Sequence, residues 1–285
     1  MALLLQLAVG LAGLSDDAGR TADDCWHVYL DVGTNIGVQI RKLFEPERYP
    51  GAGVLPAFTK YFGAPVARRS STCAIGIEPN PRHGERLHKL QARYNALGMR
   101  TTILYRTVAG LADNATATYF FDNSHERKAQ GTEWWGGTFS LPSQRAARLT
   151  SSAPTETTVH TVDLVALVRR LLQRRLPPRP AGAGEPAIVM KLDAEGGEFK
   201  MLPALIGSGA LCQTDHAWIE VHDGHASSAH KPLAKAAGVA ELGTSFTAVV
   251  RYLLTTARES GYCKAVVEFD DDETYLNDPV PLPGN

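Results

Sequence analysis

The sequence predicts an α/β fold in which a doubly wound, mostly parallel sheet carries helices on both faces. Three observations support this prediction. Apolar segments of strand length alternate along the chain with longer segments of helical periodicity. The first strand runs directly into a glycine turn, and several strands end in polar residues. Strands separated by helices form parallel sheets, and ligands bind such sheets at the carboxyl ends of the strands.

The first half of the chain begins this alternation. Apolar and β-branched side chains mark its strands, and Gly98 is the expected C-cap of its second helix. The predicted elements are a strand at 27–32, a helix at about 36–45, a strand at 73–78, a helix at 81–97, a strand at 101–110 and a short extended segment at 115–122.

The second half continues the alternation. A loop rich in proline and glycine, LPPRPAGAGEP at 176–186, separates a helix from the strand that follows it. The predicted elements are a helix at 161–175, strands at 188–193 and 216–222, a helix at 246–259 and a late strand at 262–269.

The turn after the first strand is the sharpest indication of a ligand. Residues 28–37 read VYLDVGTNIG, with the spacing D-x-G-x-N-x-G. Glycines let the backbone pass close to a ligand, and a helix beginning near Gly37 presents unpaired N–H groups to it. The dinucleotide fingerprint G-x-G-x-x-G is not matched, which argues against NAD and FAD. The pattern favours a pocket for another nucleoside cofactor, and the alternative is an ordinary tight turn.

A second strand ends in an acid. Residues 73–81 read CAIGIEPNP, and Glu78 stands at the end of the apolar run. A carboxylate in this position can accept hydrogen bonds from both hydroxyls of a ribose, as in many nucleoside-binding α/β folds. The alternative is a solvated acid at a strand end. Together with the glycine turn, Glu78 favours the nucleoside site.

The block KLDAEGGE at 191–198 follows a third strand. In order, VYLDVGTNIG, GIEPNP, TVDLVALV and KLDAEGGEFKML make the chain resemble the FkbM family of S-adenosylmethionine-dependent methyltransferases, over roughly residues 27–270. The resemblance implies a class I methyltransferase fold with a last strand that is antiparallel. It also implies S-adenosylmethionine as the cofactor and O-methylation of a hydroxyl on a sugar or another small-molecule or glycan acceptor.

The resemblance also implies roles for individual residues. Asp31 positions the glycine turn or the amino-acid part of the cofactor, and Glu78 holds the ribose. The remaining cofactor-binding residues that it implies are Gly33, Thr34, Asn35, Gly37 and Asn80.

Two carboxylates of the KLDAEGGE block are candidate catalytic residues. Asp193 and Glu195 follow the strand nearest the reacting methyl group in this architecture, and strand periodicity places Lys191 and Asp193 on one face. Either carboxylate could accept the proton of an acceptor hydroxyl. The alternative is that both cap the next helix, which begins near Gly197. His222, at another strand end, is a further candidate base.

The histidines do not predict a metal site. His222, His225 and His230 are close in sequence and His216 precedes them, but their spacing matches no zinc motif. We therefore expect no metal. Two functional alternatives remain: a catalytically silent nucleoside-binding domain, and a methyltransferase of the same fold that acts on nitrogen or a carboxylate.

Composition fits one domain of enzyme size. The chain has 285 residues, 44% of them hydrophobic, and residues 25–285 form the predicted methyltransferase domain. Its 29 basic and 30 acidic residues give a net charge of −1, so a nucleic acid is not the expected partner. The composition does not predict an oligomeric state.

Residues 1–24 begin with the apolar segment MALLLQLAVGLAGLS, which is too short to span a bilayer. It is either a signal-peptide core, which implies the secretory pathway, or a helix packed on a cytoplasmic domain. Four cysteines permit two disulfides, but Cys73 lies in a predicted core strand, where a free thiol would also pack.

Overall fold

A computed structural model describes most of the chain. It covers residues 13–121, 137–138, 155–222 and 245–269, and single residues or short pieces between 231 and 238 and between 272 and 283. His225 and His230 lie outside the described residues, as do residues 1–12 of the apolar N-terminal segment.

A parallel sheet of six strands forms the centre of the protein. Its order is β10-β9-β8-β1-β2-β3, and every neighbouring pair is parallel. These strands are β1 (His27–Val32), β2 (Thr72–Glu78), β3 (Thr101–Tyr105), β8 (Ile188–Leu192), β9 (His216–Ile219) and β10 (Val266–Glu268). The chain order reverses between β1 and β8, so this position is the topological switch point of a doubly wound sheet. The predicted fold class is confirmed.

Helices pack on both faces of this sheet. They are α1 (Leu14–Arg20), α2 (Val38–Phe44), α3 (Leu55–Phe62), α4 (Pro65–Ser71), α5 (Gly84–Ala96), α6 (Leu164–Leu172), α7 (Glu198–Gly207) and α8 (Phe246–Glu259). Short 3₁₀ turns lie at Pro46–Arg48, Pro81–His83 and Leu211–Gln213.

The alternation of side chains along β1 divides the core into two layers. Val28, Leu30 and Val32 pack with residues of α1, α6, α7 and α8 on one face. Tyr29 packs on the other face with residues of α2, α3 and α5. All six residues of β1 are buried, as expected for a central strand covered by helices on both faces.

A second sheet was not predicted. It has the order β4-β7-β5-β6 and is formed by β4 (Thr107–Gly110), β5 (Thr116–Phe121), β6 (Gly137–Thr138) and β7 (Thr155–Asp163). The predicted strand at 101–110 divides because Arg106 takes a left-handed conformation with φ 49°. Its first part stays in the main sheet as β3, and its second part enters the second sheet as β4.

The last described strand differs from the expectation drawn from the family resemblance. β10 pairs with β9 in parallel, with Val266 opposite His216. The physical reason is the crossover through α8, which returns the chain to the end of the sheet where β9 begins. Antiparallel pairing occurs instead in the second sheet, where β5 pairs with both β6 and β7.

Several predicted helices are shorter than expected. The helix predicted at 161–175 begins only at Leu164, because β7 continues to Asp163 and the Asp163 carboxylate then accepts the Ala166 N–H at 2.9 Å as an N-cap. The helix predicted from about 36 begins at Val38, since Asn35 and Gly37 are both left-handed. The strand at 27–32 and the helix at 246–259 have the predicted bounds.

All four cysteines are paired. Cys25, just before β1, is bonded to Cys73 in β2, and Cys212 is bonded to Cys263. Cys73 is therefore not a free thiol. At the N-terminus, α1 packs against α6. Most of the apolar segment lies outside the described residues, so its assignment as a signal peptide or as a packed helix stays a prediction. Among the described residues, no helix has both the length and the apolar character needed to cross a bilayer.

Candidate active site

The turn after β1 is pressed between the two neighbouring strands. The N–H groups of Gly33 and Thr34 both donate to the carbonyl of Ile77 in β2, at 3.1 Å. Gly33 has φ +85°, and a Cβ atom there would lie 1.9 Å from the carbonyl oxygen of Asp193. The Thr34 hydroxyl donates to the Asp31 carbonyl at 2.9 Å. Only glycine fits at position 33, because both the conformation and the space exclude a side chain.

Glu78 is held at the carboxyl end of β2 by backbone groups on both sides. One carboxylate oxygen accepts the Asn35 N–H at 2.7 Å, and the other accepts the Asn80 N–H, also at 2.7 Å. The ring of His83 lies 3.3 Å from the second oxygen. Because each carboxylate oxygen has about two acceptor positions, Glu78 keeps capacity for a ligand.

A pocket opens where these two strands meet β8. It encloses about 550 Å³ of empty space, a volume that includes open solvent at its mouth. Its lining includes Gly33, Asn35, Glu78, Asn80, Asp193 and Glu195, together with Ile77, His83, Val108, Ala109 and Tyr119. The structure therefore brings six of the predicted site residues into one pocket at the switch point of the sheet.

Three other predicted cofactor residues lie beside this pocket and do not line it. Thr34 lines a smaller adjoining hollow with Lys191. Gly37 has φ +89° and is packed close to Leu90, so a glycine is needed there for the conformation of the turn. Asp31 is fully buried, and one of its carboxylate oxygens has no hydrogen-bond partner among the described residues. Of the two roles expected for Asp31, its burial favours support of the turn over contact with a cofactor.

Burial controls the charge of Asp31. Removal from water raises the pKa of its carboxyl group to about 7, and the nearby ammonium group of Lys191 only partly opposes this rise. Asp193 and Glu78 add to it through their negative charge. Because these charges interact, Asp31, Glu78 and Asp193 lie near one another, at the same edge of the sheet.

The end of β8 carries the candidate catalytic carboxylates. Asp193 accepts a hydrogen bond from Lys191 Nζ at 2.9 Å, as expected from their position on one face of the strand. The expected alternative, in which Asp193 and Glu195 cap α7, is not observed, because the N-cap position of this helix is Gly197 and carries no side-chain cap hydrogen bond. The Glu198 carboxylate accepts the N–H of Gly196, just before the helix, at 2.8 Å.

Glu198 also holds His222. It is fully buried, and one of its oxygens accepts the backbone N–H of His222 at 2.9 Å and the ring Nδ1 at 3.0 Å. The other ring nitrogen, Nε2, lies 3.1 Å from Glu220 and 3.5 Å from Glu195. Three carboxylates therefore surround one imidazole.

These carboxylates set the charge of His222. Burial would lower the pKa of the ring, but its hydrogen bonds to Glu198 and Glu220 and the charge of Glu195 outweigh burial and raise this pKa to about 11. His222 is therefore an imidazolium near neutral pH and cannot accept a proton in this state. The expectation that it is a base is not supported by its surroundings. Burial, opposed by His222, raises the pKa of Glu195.

Glu198 and Tyr119 were not identified from the sequence as residues of this site. Glu198 is fully buried and is the last acid of the KLDAEGGE block, but no role in the site was assigned to it from the sequence. Tyr119 comes from the second sheet, and burial raises its pKa well above the usual value. No sequence signal indicated that Tyr119 would reach the pocket.

Comparison with protein-family models, with curated proteins and with solved structures found no match.

Proposed function

We propose that this chain is an S-adenosylmethionine-dependent methyltransferase that methylates a hydroxyl on a sugar or another small metabolite. The observation that carries the proposal is the position of Glu78. Its carboxylate is fixed by the N–H groups of Asn35 and Asn80 inside a pocket at the switch point of a parallel sheet. Nucleosides bind α/β sheets at this place, with an acid at the end of the second strand on the ribose.

The other walls of the pocket suit the remaining parts of the cofactor. Ile77, Val108 and Ala109 supply an apolar surface for a base. Gly33 and Asn35 bring the backbone of the β1 turn to the pocket, and the side-chain oxygen of Asn35 is buried without a partner among the described residues. The residues present therefore fit an adenosine group that carries a polar amino-acid tail.

Methyl transfer to oxygen requires alignment and the removal of one proton. When bound, the cofactor would supply a methyl group on a positively charged sulfur, and transfer of this group to the acceptor oxygen would break the carbon–sulfur bond and leave a neutral thioether. Asp193 and Glu195 line the pocket, so one of their carboxylates takes the hydroxyl proton.

One observation favours a second candidate function, a silent nucleoside-binding domain. His222 carries a raised pKa, Asp193 is paired with Lys191, and Glu195 lies 3.5 Å from His222 Nε2, so all three expected bases already have charged neighbours. This candidate keeps Glu78 for the nucleoside and predicts binding without turnover.

Two measurements on the full chain test the proposed function. Calorimetry should give a saturable affinity for S-adenosylmethionine, and incubation with a panel of sugars, phenols, amines and carboxylates should form S-adenosylhomocysteine with the hydroxyl acceptors. No binding would overturn the nucleoside site itself. Binding without turnover across the panel would favour the silent domain, and turnover only with amines or carboxylates would move the methyl acceptor to nitrogen or a carboxylate.

The disulfides also bear on the compartment. Disulfides persist in oxidising compartments and are rare in the cytosol. Because both cysteine pairs are bonded, we infer that the chain acts in the secretory pathway. If free thiols are alkylated during lysis of the native source, mass spectrometry of the purified protein should find no alkylated cysteine. Alkylation of all four cysteines would place the protein in a reducing compartment.

A further inference from the structure

Three side chains beside the pocket form a possible ligand set for a metal ion. Asp193, Glu195 and His222 each offer one ligand atom, and these atoms all lie within 4.8 Å of one another. Two ligands bound to one ion at about 2.1 Å are separated by at most about 4.2 Å. Small side-chain rotations would therefore suffice to bring the three atoms onto one cation.

A second observation is the contact that holds His222 in place. A histidine that binds a metal almost always donates its other ring N–H to a carboxylate or a carbonyl group, which fixes the ring. His222 has this arrangement, because the fully buried Glu198 receives its Nδ1 at 3.0 Å. The ring nitrogen that remains, Nε2, is directed to Glu195 and Glu220 at 3.5 and 3.1 Å.

The charges around His222 also suit a cation. The carboxylates of Glu195, Glu198 and Glu220 all contact its ring, and Asp193 lies within the same group. Lys191 pairs with Asp193 and offsets only part of this negative charge. A divalent cation bound to the neutral ring would replace one proton by two positive charges.

We propose that Asp193, Glu195 and His222 bind a divalent cation of the Mn²⁺ type, with Glu198 as the residue that orients the histidine. Carboxylate oxygens suit Mg²⁺ and Mn²⁺, and a single imidazole nitrogen favours Mn²⁺ of the two. No local pattern predicted this site, because His222 is 24 residues from the nearest residue of the KLDAEGGE block.

The cation site deepens the proposed function, on which the following role rests. Asp193 and Glu195 also line the pocket, so a bound cation would lie beside the methyl acceptor. There it would contact the oxygen of an acceptor hydroxyl and lower the pKa of that hydroxyl. This role favours acceptors with neighbouring hydroxyls, such as sugars, which can supply two oxygens to one cation.

Metal binding can be measured without methyl transfer. The full chain, stripped with EDTA and dialysed, is titrated with MnCl₂ by calorimetry and by loss of the electron paramagnetic resonance signal of free Mn²⁺. We expect one saturable site per chain. Glu195→Gln and His222→Gln should each weaken it at least tenfold, and Glu198→Gln should weaken it by about 10- to 100-fold, as for other residues that orient a ligand. The control is Glu185→Gln, an 83% exposed acid outside the pocket.

The outcomes separate this proposal from the proposed function. Absence of saturable Mn²⁺ binding, or equal affinities in Glu195→Gln and the control, would overturn the cation site. Glu195→Gln decides the matter if the His222 variant fails to fold, because Glu195 is partly exposed and not packed in the core. S-adenosylmethionine binding is measured separately in EDTA. If it is retained while Mn²⁺ does not bind, only the cation site is lost.

Discussion

Glu198 and His222 are joined by two hydrogen bonds from the histidine to a single carboxylate oxygen, at 2.9 Å from its backbone N–H and 3.0 Å from its ring. The contact joins the start of α7 to the chain just after β9. It thereby fixes the histidine beside the carboxylates that end β8. The chemistry of the pocket depends on this contact, because it determines which ring nitrogen faces Glu195.

Replacement of Glu78 should weaken cofactor binding. Glu78→Ala removes a charged acceptor from the pocket, and hydrogen bonds to charged groups contribute about 1.5–3 kcal/mol, so we expect an affinity for S-adenosylmethionine about 10- to 100-fold lower. Calorimetry well below the unfolding temperature measures this effect. Glu85→Ala is the control, since Glu85 is 82% exposed and pairs with Lys89 on α5. Equal affinities for S-adenosylmethionine in the two variants would show that Glu78 does not bind the ribose.

Replacement of Asp193 should affect turnover more than cofactor affinity. Asp193→Asn keeps the size of the side chain but removes its negative charge and its capacity to accept a proton, and we expect turnover to fall by about 10²- to 10⁴-fold. The ammonium group of Lys191 would then be buried without its carboxylate. The double variant Lys191→Met/Asp193→Asn avoids that cost, so its unfolding temperature and its rate separate stability from catalysis. Normal turnover in a variant with reduced stability would make Asp193 a structural residue.

The β1 turn should tolerate no side chain at position 33. Gly33→Ala adds a Cβ atom that would meet the Asp193 carbonyl oxygen at 1.9 Å. Gly98→Ala is a matched control, because Gly98 is also left-handed, with φ +79°, but has no atom within 4 Å of the added carbon. The control should lose about 1–2 kcal/mol of unfolding free energy through strain alone. Denaturant titration should show a larger loss for Gly33→Ala, accompanied by loss of cofactor binding. Equal losses in the two variants would contradict the tight packing of the turn.

His27 should make the protein sensitive to mild acid. Burial, assisted by the charge of Arg174, lowers the pKa of its ring to about 4 from a usual value of 6.5, and the ring accepts the Ala187 N–H. The unfolded chain therefore binds this proton more readily than the folded protein, so stability should fall as the pH decreases from 6.5 to about 4. The His27→Gln variant stays neutral throughout and offers an amide oxygen to the same N–H. Denaturant titrations at several pH values should show a smaller decline for this variant. Parallel declines would show that other groups cause the acid sensitivity.

Sequence reasoning succeeded where the relevant signal is local. The bounds of β1 follow from a run of apolar residues that ends in a glycine turn, and the bounds of α8 follow from helical periodicity after Ser245, whose hydroxyl accepts the Ala248 N–H as an N-cap. The meeting of Glu78 and Asp193 at one pocket was predictable, because the carboxyl ends of parallel strands lie at the same edge of a sheet.

The features that were missed depend on contacts between distant parts of the chain. The chain leaves the main sheet at Arg106, which has a left-handed backbone conformation that is uncommon for arginine. The pairing of Cys25 with Cys73 spans 48 residues, and four cysteines allow three connectivities. The contact between Glu198 and His222 needs the register of β9 against β8, which no local pattern sets.

The second sheet gives the pocket walls two different origins. Val108, Ala109 and Tyr119 come from β4 and β5, whereas Glu78 and Asp193 follow strands of the main sheet. Amino-acid changes in the second sheet can therefore reshape the mouth of the pocket without disturbing the buried strands that position the carboxylates. Under the proposed function, such changes would alter the choice of acceptor and leave the candidate catalytic carboxylates in place.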